Sequence, residues 1–387
     1  MKVLFSSDWH LGKFVYGQSM LDEQRWFIDN VFFPAVSNHA PDAIVIAGDI
    51  FDRAIAPTAA LALFDDVMTR IATLGIPLIV ITGNHDGAER MSLGRHIMRV
   101  GGIHLFTEIS DCTQTVALTD ADGLKVVFHP LPYFDPAQAR AFTDNEETSG
   151  YAQLYADVIS GISLDDTAAR HILISHCTVL GSHFSDSESG AMVGGSNEIP
   201  VDCFEPFDAV LLGHLHSPQK PGNNIMYSGS PLRYSFSSTE RDKALLLVSI
   251  TDSDIAFETL PITPRREMRT ICGAFDDLLG DGTPASEDFI CAELTDGQYI
   301  FEPMARLREK FPNILGITYS ENVSVDGDQS DRALLRHRLR ARSIGDREVF
   351  SAFLSQMCAV SPTDDDLDRF DEICSAAFTE EVNDDAP

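Results

Sequence analysis

Five short apolar runs along the chain each end abruptly in residues with polar, potentially ligating side chains. Residues 2–6 lead into Asp8-Trp9-His10-Leu11-Gly12, residues 43–47 into Gly48-Asp49-Ile50-Phe51-Asp52-Arg53, and residues 78–82 into Gly83-Asn84-His85-Asp86. Further on, residues 171–175 lead into His176, and residues 209–212 into Gly213-His214-Leu215-His216. Short continuous apolar runs bounded in this way predict strands buried on both faces, and in open α/β sheets sites assemble at strand C-termini. Between the early runs, residues 22–36 and 58–74 carry apolar positions at helical spacing and have the length of βαβ crossovers. The first half of the chain therefore reads as α/β.

After Gly213 the pattern shifts to short β-like runs at 224–228, 244–250 and 255–260, which implies a second sheet. Two prolines and two arginines within 261–266 mark a hinge, placing a first domain at 1–265 and a smaller one of mixed strand and helix signals at 266–330. Residues 331–345 form a basic linker in which Arg332, Arg336, Arg338, Arg340 and Arg342 accompany His337; its readings are a solvated face or a contact to DNA backbone or a partner. Segment 346–380 holds two amphipathic helical patterns, Val349, Phe350, Phe353, Leu354, Met357, Cys358 and then Leu367, Phe370, Ile373, Cys374, Ala377, before a tail at 381–387. The second opens on Ser361-Pro362 and Asp364-Asp365-Asp366, a cap and acids suited to a helix N-terminus. Two helices this short hardly bury both stripes on each other, so they need another surface, in this chain or in a second one.

Composition narrows the field. The 387 residues allow two or three domains, and 44% hydrophobic with 22% charged residues describes an ordinary globular protein. No apolar run nears the roughly 20 residues that span a bilayer, and the run at 3–5 is too short for the core of a signal peptide, so a cytoplasmic protein is expected. Seven cysteines without Cys-x-x-Cys spacing fit reduced thiols. The formal charge of −31 opposes long-range attraction to nucleic acid or anionic membrane, so a polyanionic substrate must be met locally, through metal ions or a basic partner.

The residues at the strand ends supply such a centre. Asp8 and His10 lie two apart, as do His214 and His216, and strand alternation points each pair to one side. With Asp49, Asn84 and His176 they make seven oxygen and nitrogen donors, too many for one tetrahedral ion and suited to a pair sharing a carboxylate. Imidazole, carboxylate and amide without thiolate favour manganese, iron or zinc. Any one of these residues alone reads more simply as a hydrogen-bonded structural group; their ordered recurrence is what carries weight.

In that order the motifs Asp8-x-His10, Gly48-Asp49-x-x-Asp52-Arg53, Gly83-Asn84-His85-Asp86, His176 and Gly213-His214-Leu215-His216 resemble those of the calcineurin-like metallophosphoesterases. The opening Ser7-Asp8-Trp9-His10-Leu11-Gly12 and the segment Tyr227-Ser228-Gly229-Ser230-Pro231 are similar to the bacterial SbcD family of nuclease subunits, counterparts of the archaeal and eukaryotic double-strand-break repair nucleases. The resemblance is strong to about residue 265 and looser beyond. It implies a four-layer α-β-β-α sandwich of two mixed sheets, a small α+β DNA-capping domain and C-terminal helices that bind a partner. It further implies one metal on Asp8, His10, Asp49 and His216 and a second on Asp49, Asn84, His176 and His214, with manganese the usual ion. His85 is the implied catalytic acid, oriented by Asp52. The implied activity is 3′–5′ exonuclease and endonuclease cutting, with an SbcC-type coiled-coil ATPase, DNA and a second copy of the chain as partners, the helical segments 58–74 and 88–100 being candidates for the dimer interface. Arg53, Arg336, Arg338 and Arg340 are candidate DNA contacts. A stand-alone phosphodiesterase or phosphatase for small substrates, and a non-catalytic DNA-bridging scaffold, remain as alternatives; the first leaves the chain beyond residue 266 without a role, and the second leaves seven intact donors without one.

Overall fold

The computed structural model describes residues 1–144, 150–167, 169–188, 197–240, 242–297 and 300–320, together with 347, 350, 363 and 366–370. Two six-stranded mixed sheets form its centre. The first runs Ile255–Pro261, Ala244–Ile250, Lys2–Ser6, Ala43–Ala47, Leu78–Ile81, Ile103–Phe106, the last four strands parallel and the first two antiparallel. The second runs Gln219–Gly222, Ile225–Tyr227, Ala209–Gly213, Arg170–His176, Lys125–Leu131, Val116–Thr119, parallel in its middle four and antiparallel at both edges.

The apolar runs are continuous because each strand is covered on both faces. Val3, Phe5, Val45, Ile79 and Ile81 of the first sheet share one core with Phe128, Ile172, Ile174 and Leu211 of the second. The alternate residues Leu4, Ile44, Ile46 and Val80 face a helical layer through Phe27, Phe32, Leu63, Phe64 and Val67. On the opposite outside, Leu131, Leu173, Val210 and Leu212 pack on Leu154, Tyr155 and Val158. The order helix, sheet, sheet, helix is the four-layer sandwich expected from the motifs.

The helix expected at 22–36 is present as Leu21–Phe27 and Phe33–His39 joined through a π-helical turn, Ile28–Phe32. Pro34 lies just beyond that turn; it donates no N–H and crowds the carbonyl of the turn before it, so a local widening meets its needs. Thr58–Leu74 is helical as its spacing predicts, and Gly75 closes it with φ 70°. Residues 88–100 instead make two short helices, Ala88–Met91 and Arg95–Met98, because Gly94 takes φ 76° between them.

Past Pro261 the chain forms a three-stranded sheet in the order Met268–Gly273, Phe289–Leu294, Ile314–Tyr319, with helices Phe275–Leu279 and Pro303–Arg308. Contact density groups the chain into two units, Met1–Ile271 with Ala285–Cys291 and Arg308–Gly316, and Cys272–Pro284 with Ala292–Leu307 and Ile317 onward. Within the second, Phe275 N donates to the Asp296 carboxylate and the Arg306 guanidinium lies 4.2 Å from the Phe275 ring centre. The arginine run at 332–342 and most of the amphipathic segment lie outside the described residues. Where that segment is described, Phe350 stacks on Phe370 at 4.1 Å and Arg347 pairs with Asp368. Among the described residues no helix is long and apolar enough to cross a membrane, and Cys112, Cys177, Cys203, Cys272 and Cys291 form no disulfide.

One buried pair ties stability to pH. His171 Nε2 donates to the Asp166 carbonyl, so its Nδ1 accepts from His129 Nε2–H at 2.9 Å. Burial, with His171 beside it, pushes His129 down to about 4. Between pH 6.5 and about 4 the unfolded chain binds the proton that the folded ring refuses. Stability from this group is therefore complete above 6.5 and falls as pH drops toward 4, by roughly 3 kcal/mol at most. Urea denaturation across that range should show a shallower pH dependence in His129→Gln than in the parent; equal slopes would refute the assignment.

Candidate metal centre

Four of the seven sequence-predicted donors sit in strained backbone. Asp8, His10, Asp49 and His214 have φ of 55°, 46°, 48° and 102°, a region costly for residues other than glycine and retained where the surroundings impose it. The surroundings here are two loops running side by side: Asp8 N donates to Gly48 O, His10 N to Asp49 O and Leu11 N to Ile50 O. The strands stop at Ser6 and Gly213, so turn geometry and not pleat alternation aims these side chains. His214 and His216 accordingly diverge instead of pointing to one side. Gly213 brings the second sheet onto the first so closely that a Cβ there would lie 1.8 Å from the Ala47 carbonyl oxygen.

The side chains converge on Asp49. Its Oδ2 lies 3.7 Å from His10 Nε2, 3.5 Å from His176 Nε2 and 4.0 Å from His85 Nε2. On one side His10 Nε2 faces His216 Nε2 at 2.9 Å, and Asp8, His10 and His216 each bring a donor atom within 4.8 Å of the others. On the other, Asn84 Oδ1 lies 3.1 Å from His176 Nε2 and 3.0 Å from His214 Nδ1. Asp8, Asp49 and His176 form a further close group. All seven predicted donors thus come together in one centre, arranged about a shared carboxylate.

His85 stands at the rim of this centre, with its side chain 38% exposed. Its Nδ1 donates to the main-chain carbonyl of Asp52 at 2.8 Å, so the contact with Asp52 runs through the backbone. The Asp52 carboxylate is committed to Lys13 Nζ at 2.7 Å and lies 3.6 Å from Arg53 Nε. Arg53 itself is largely exposed. Arg336, Arg338 and Arg340 lie outside the described residues.

A pocket of about 300 Å³ opens on the centre, lined by His10, Asp49, Asn84, His85, His214 and His216. Lys13, Ser187 and Glu188 complete its wall, and the sequence did not single them out. Lys13 follows the first loop without a motif of its own, and Ser187 and Glu188 sit in a polar stretch that no apolar run precedes. Their signal is three-dimensional: Ser187 Oγ lies 2.6 Å from His216 Nδ1, and Glu188 accepts the His216 main-chain N–H.

The positive charge of the centre rests on His176: burial opposes it, yet Asp49, with Asp8 and the Ala47 carbonyl, raises this imidazole to about 9. Burial pushes Asp8 up to about 8, against the opposing pull of His176, with Asp49 adding to the rise. Burial also opposes ionisation of Asp49, yet His176, His10 and His85 hold it well below the usual carboxylate range. His10 and His216 lie well below the imidazole range, chiefly through burial, and burial with His176 takes His214 down to about 3. One proton at most lies between the two neutral rings at His10 Nε2 and His216 Nε2, and the Asn84 amide oxygen is approached by two imidazole nitrogens, His176 Nε2 and His214 Nδ1. His10 Nδ1 is buried without a hydrogen-bond partner. A donor set of carboxylate, imidazole and amide oxygen with no thiolate fits divalent cations, which would relieve each of these contacts.

Comparison with known proteins agrees with the fold. Residues 1–218 match the calcineurin-like phosphoesterase family, and residues 264–357 match a family described as the type 5 capsule protein repressor C-terminal domain. The chain is 31% identical over 335 residues to the SbcD subunit of the SbcCD nuclease of Staphylococcus epidermidis, covering 84% of this chain and 88% of the relative. It is 28% identical over 385 residues to the SbcD subunit of the same nuclease in Staphylococcus saprophyticus, covering 98% and 99%.

Asp86 binds the second and third motif loops together, accepting from Ile50 N, Phe51 N and Gly83 N. Asp86→Ala leaves three buried donors unpaired and should cost on the order of 3–5 kcal/mol in urea unfolding. Asp86→Asn keeps an accepting oxygen and should cost less. A loss below about 1 kcal/mol in the alanine variant would show that the tie is dispensable.

Proposed function

The chain belongs to the calcineurin-like phosphoesterases, in the branch of the SbcD nuclease subunits, and on that footing we propose that it is a metal-dependent DNA exo- and endonuclease acting on DNA ends, hairpins and double-strand breaks. The observation that carries the reading is the gathering of seven donors around Asp49 at the ends of strands from both sheets. Asp8, His10, Asp49 and His216 would hold one divalent cation, and Asp49, Asn84, His176 and His214 a second, with manganese the expected ion. Two such cations supply Lewis-acid polarisation of the scissile phosphate and an acidified water for in-line attack.

The protein's own groups do the rest. His176 donates Nδ1–H to the Ala47 carbonyl at 2.9 Å, which turns its Nε2 inward toward Asp49 and Asn84, where a cation would take the place of the proton. His85, with Nδ1–H on the Asp52 carbonyl, presents Nε2 to the pocket; in its protonated form it would give that proton to the leaving 3′ oxygen. Lys13, paired with Asp52 at the pocket wall, and the exposed Arg53 offer positive charge to a DNA backbone that the acidic remainder of the chain would repel.

A second subunit of the SbcC ATPase type, with a coiled coil, is the expected partner, consistent with the relatives being named as one subunit of a complex. The C-terminal amphipathic segment is its proposed attachment. Leu93, Ile97 and Val100, in the stretch around Gly94, are 81%, 80% and 90% exposed, an apolar surface suited to a second copy of the chain.

With manganese present, His85→Gln should retain both ions yet cut linear duplex DNA at least about 100-fold more slowly than the parent. Undiminished cutting would remove His85 from the acid role. Hydrolysis of a small phosphodiester without degradation of DNA ends, even with the ATPase subunit added, would favour the stand-alone phosphodiesterase. Leu93→Asp combined with Ile97→Asp should shift sedimentation from dimer to monomer, and an unchanged sedimentation coefficient would exclude this surface as the dimer contact.

A further inference from the structure

Of the four histidines among the proposed ligands, three turn Nε2 toward the centre, and they are supported differently at their other nitrogen. His176 Nδ1 meets a backbone carbonyl, which only accepts, so its tautomer is fixed outright. His10 Nδ1 has no hydrogen-bond partner. His216 Nδ1 meets the hydroxyl of Ser187 at 2.6 Å, and a hydroxyl both donates and accepts. Alone, Ser187 would tolerate either tautomer of His216, including the one that puts a proton on Nε2 and spoils it as a ligand.

A second contact removes that ambiguity. Ser187 Oγ also lies 2.6 Å from Glu240 Oε1, and a carboxylate only accepts. Glu240 is fully buried, and its remaining partners favour the anion: Lys243 Nζ at 3.5 Å, the Ser235 hydroxyl and Tyr234 N. Lys243 is itself buried and donates to the His216 carbonyl at 2.7 Å and to Ser230 Oγ at 2.8 Å, so it grips both ends of the arrangement. The Ser185 hydroxyl also lies 2.9 Å from Ser187 Oγ, but the carboxylate is the nearer and stronger acceptor; with its single proton on Glu240, the Ser187 hydroxyl has only lone pairs left, and His216 Nδ1 donates to it.

We infer that Ser187, Glu240 and Lys243 act as a positioning relay that fixes His216 with its proton on Nδ1 and so reserves Nε2 for a divalent cation. The relay rests on the reading of His216 as a metal ligand given above. It assigns a role to residues that carry no motif: Ser187 lies 29 positions before His216 and 53 before Glu240, and Lys243 lies 27 after His216. Outer partners of this kind orient the ring and raise its basicity, and their loss commonly weakens metal binding by about 10- to 100-fold.

The test is manganese binding to the full chain, read by calorimetry, alongside ¹⁵N spectra of the histidine rings in the zinc-loaded protein. Ser187→Ala and Glu240→Gln should each weaken one of two manganese sites by about 10-fold or more, while the other site stays within about twofold. Ser187→Thr, which keeps the hydroxyl, should restore affinity. In the parent the His216 Nδ1 resonance should be that of a protonated nitrogen coupled to its hydrogen, and Ser187→Ala should broaden or shift it. Because Glu240→Gln disturbs a buried charge pair, Ser187→Ala is the deciding variant if Glu240→Gln does not fold. Two manganese sites of unchanged affinity in Ser187→Ala would overturn the relay. A parent chain that binds fewer than two ions would instead overturn the twin-cation reading beneath it.

Discussion

Asp49 is 2% exposed, and every imidazole of the centre that approaches it does so from a different loop. An isolated carboxylate in such a place would carry a large desolvation cost and take up a proton instead. It stays anionic because His10, His85 and His176 are brought around it from three separate stretches of chain. Any fold able to keep this group charged must hold those loops in register to within about an ångström, and the rest of the architecture follows from that demand. The parallel strands end at one level, and Asp86 stitches the Asp49 loop to the Asn84 loop through three main-chain donors. Gly213 lets the second sheet press its loop against the first without a side chain between them.

The same demand explains where strain is stored. Asp8, His10, Asp49 and His214 all adopt left-handed backbone, and each is a donor. Had the strands simply continued, alternation would have aimed His214 and His216 to one side, and the two could not have reached Asn84 and His10 respectively. By turning sharply after Gly213 the chain sends His214 toward Asn84 and His216 toward His10. Local backbone cost is accepted at these positions because the sheets on either side, with cores such as Val45, Ile174 and Leu211, leave the loops no lower-energy alternative that keeps the interior packed.

Much of this was legible in the order of residues. Buried strands with both faces covered must be continuously apolar, and a polar donor just past each run is a local signal that survives without coordinates; Asp8, Asp49, Asn84, His176 and His214 were all found that way. What the spacing could not convey was the turn geometry. The inference from two-residue spacing picked out residues that the structure brings together, but by another route, since it assumed a pleat where there is a left-handed turn. Ser187, Glu240 and Lys243 were invisible for a different reason: their partners are contributed by loops remote in sequence, and a serine or glutamate in a polar stretch has no periodicity to betray it. The division at Gly94 was likewise missed, because an amphipathic pattern runs on through a glycine that the backbone uses as a break.

The formal charge of −31 bears on how such a centre meets a polyanion. At physiological ionic strength the field of a distant carboxylate decays over roughly 8 Å, so the acidic surface slows approach more than it weakens contact once made. What decides binding is the charge within that distance of the pocket. There Asp49 is compensated by three imidazoles, Asp52 by Lys13 and Arg53, and Glu240 by Lys243. These acids are thus each matched by a cationic or titratable partner, and two bound dications would turn a balanced site into a positive one. Loaded with the two proposed cations, the centre would owe its affinity for a phosphate backbone to the metals, and so acidic a chain would bind nucleic acid weakly before loading.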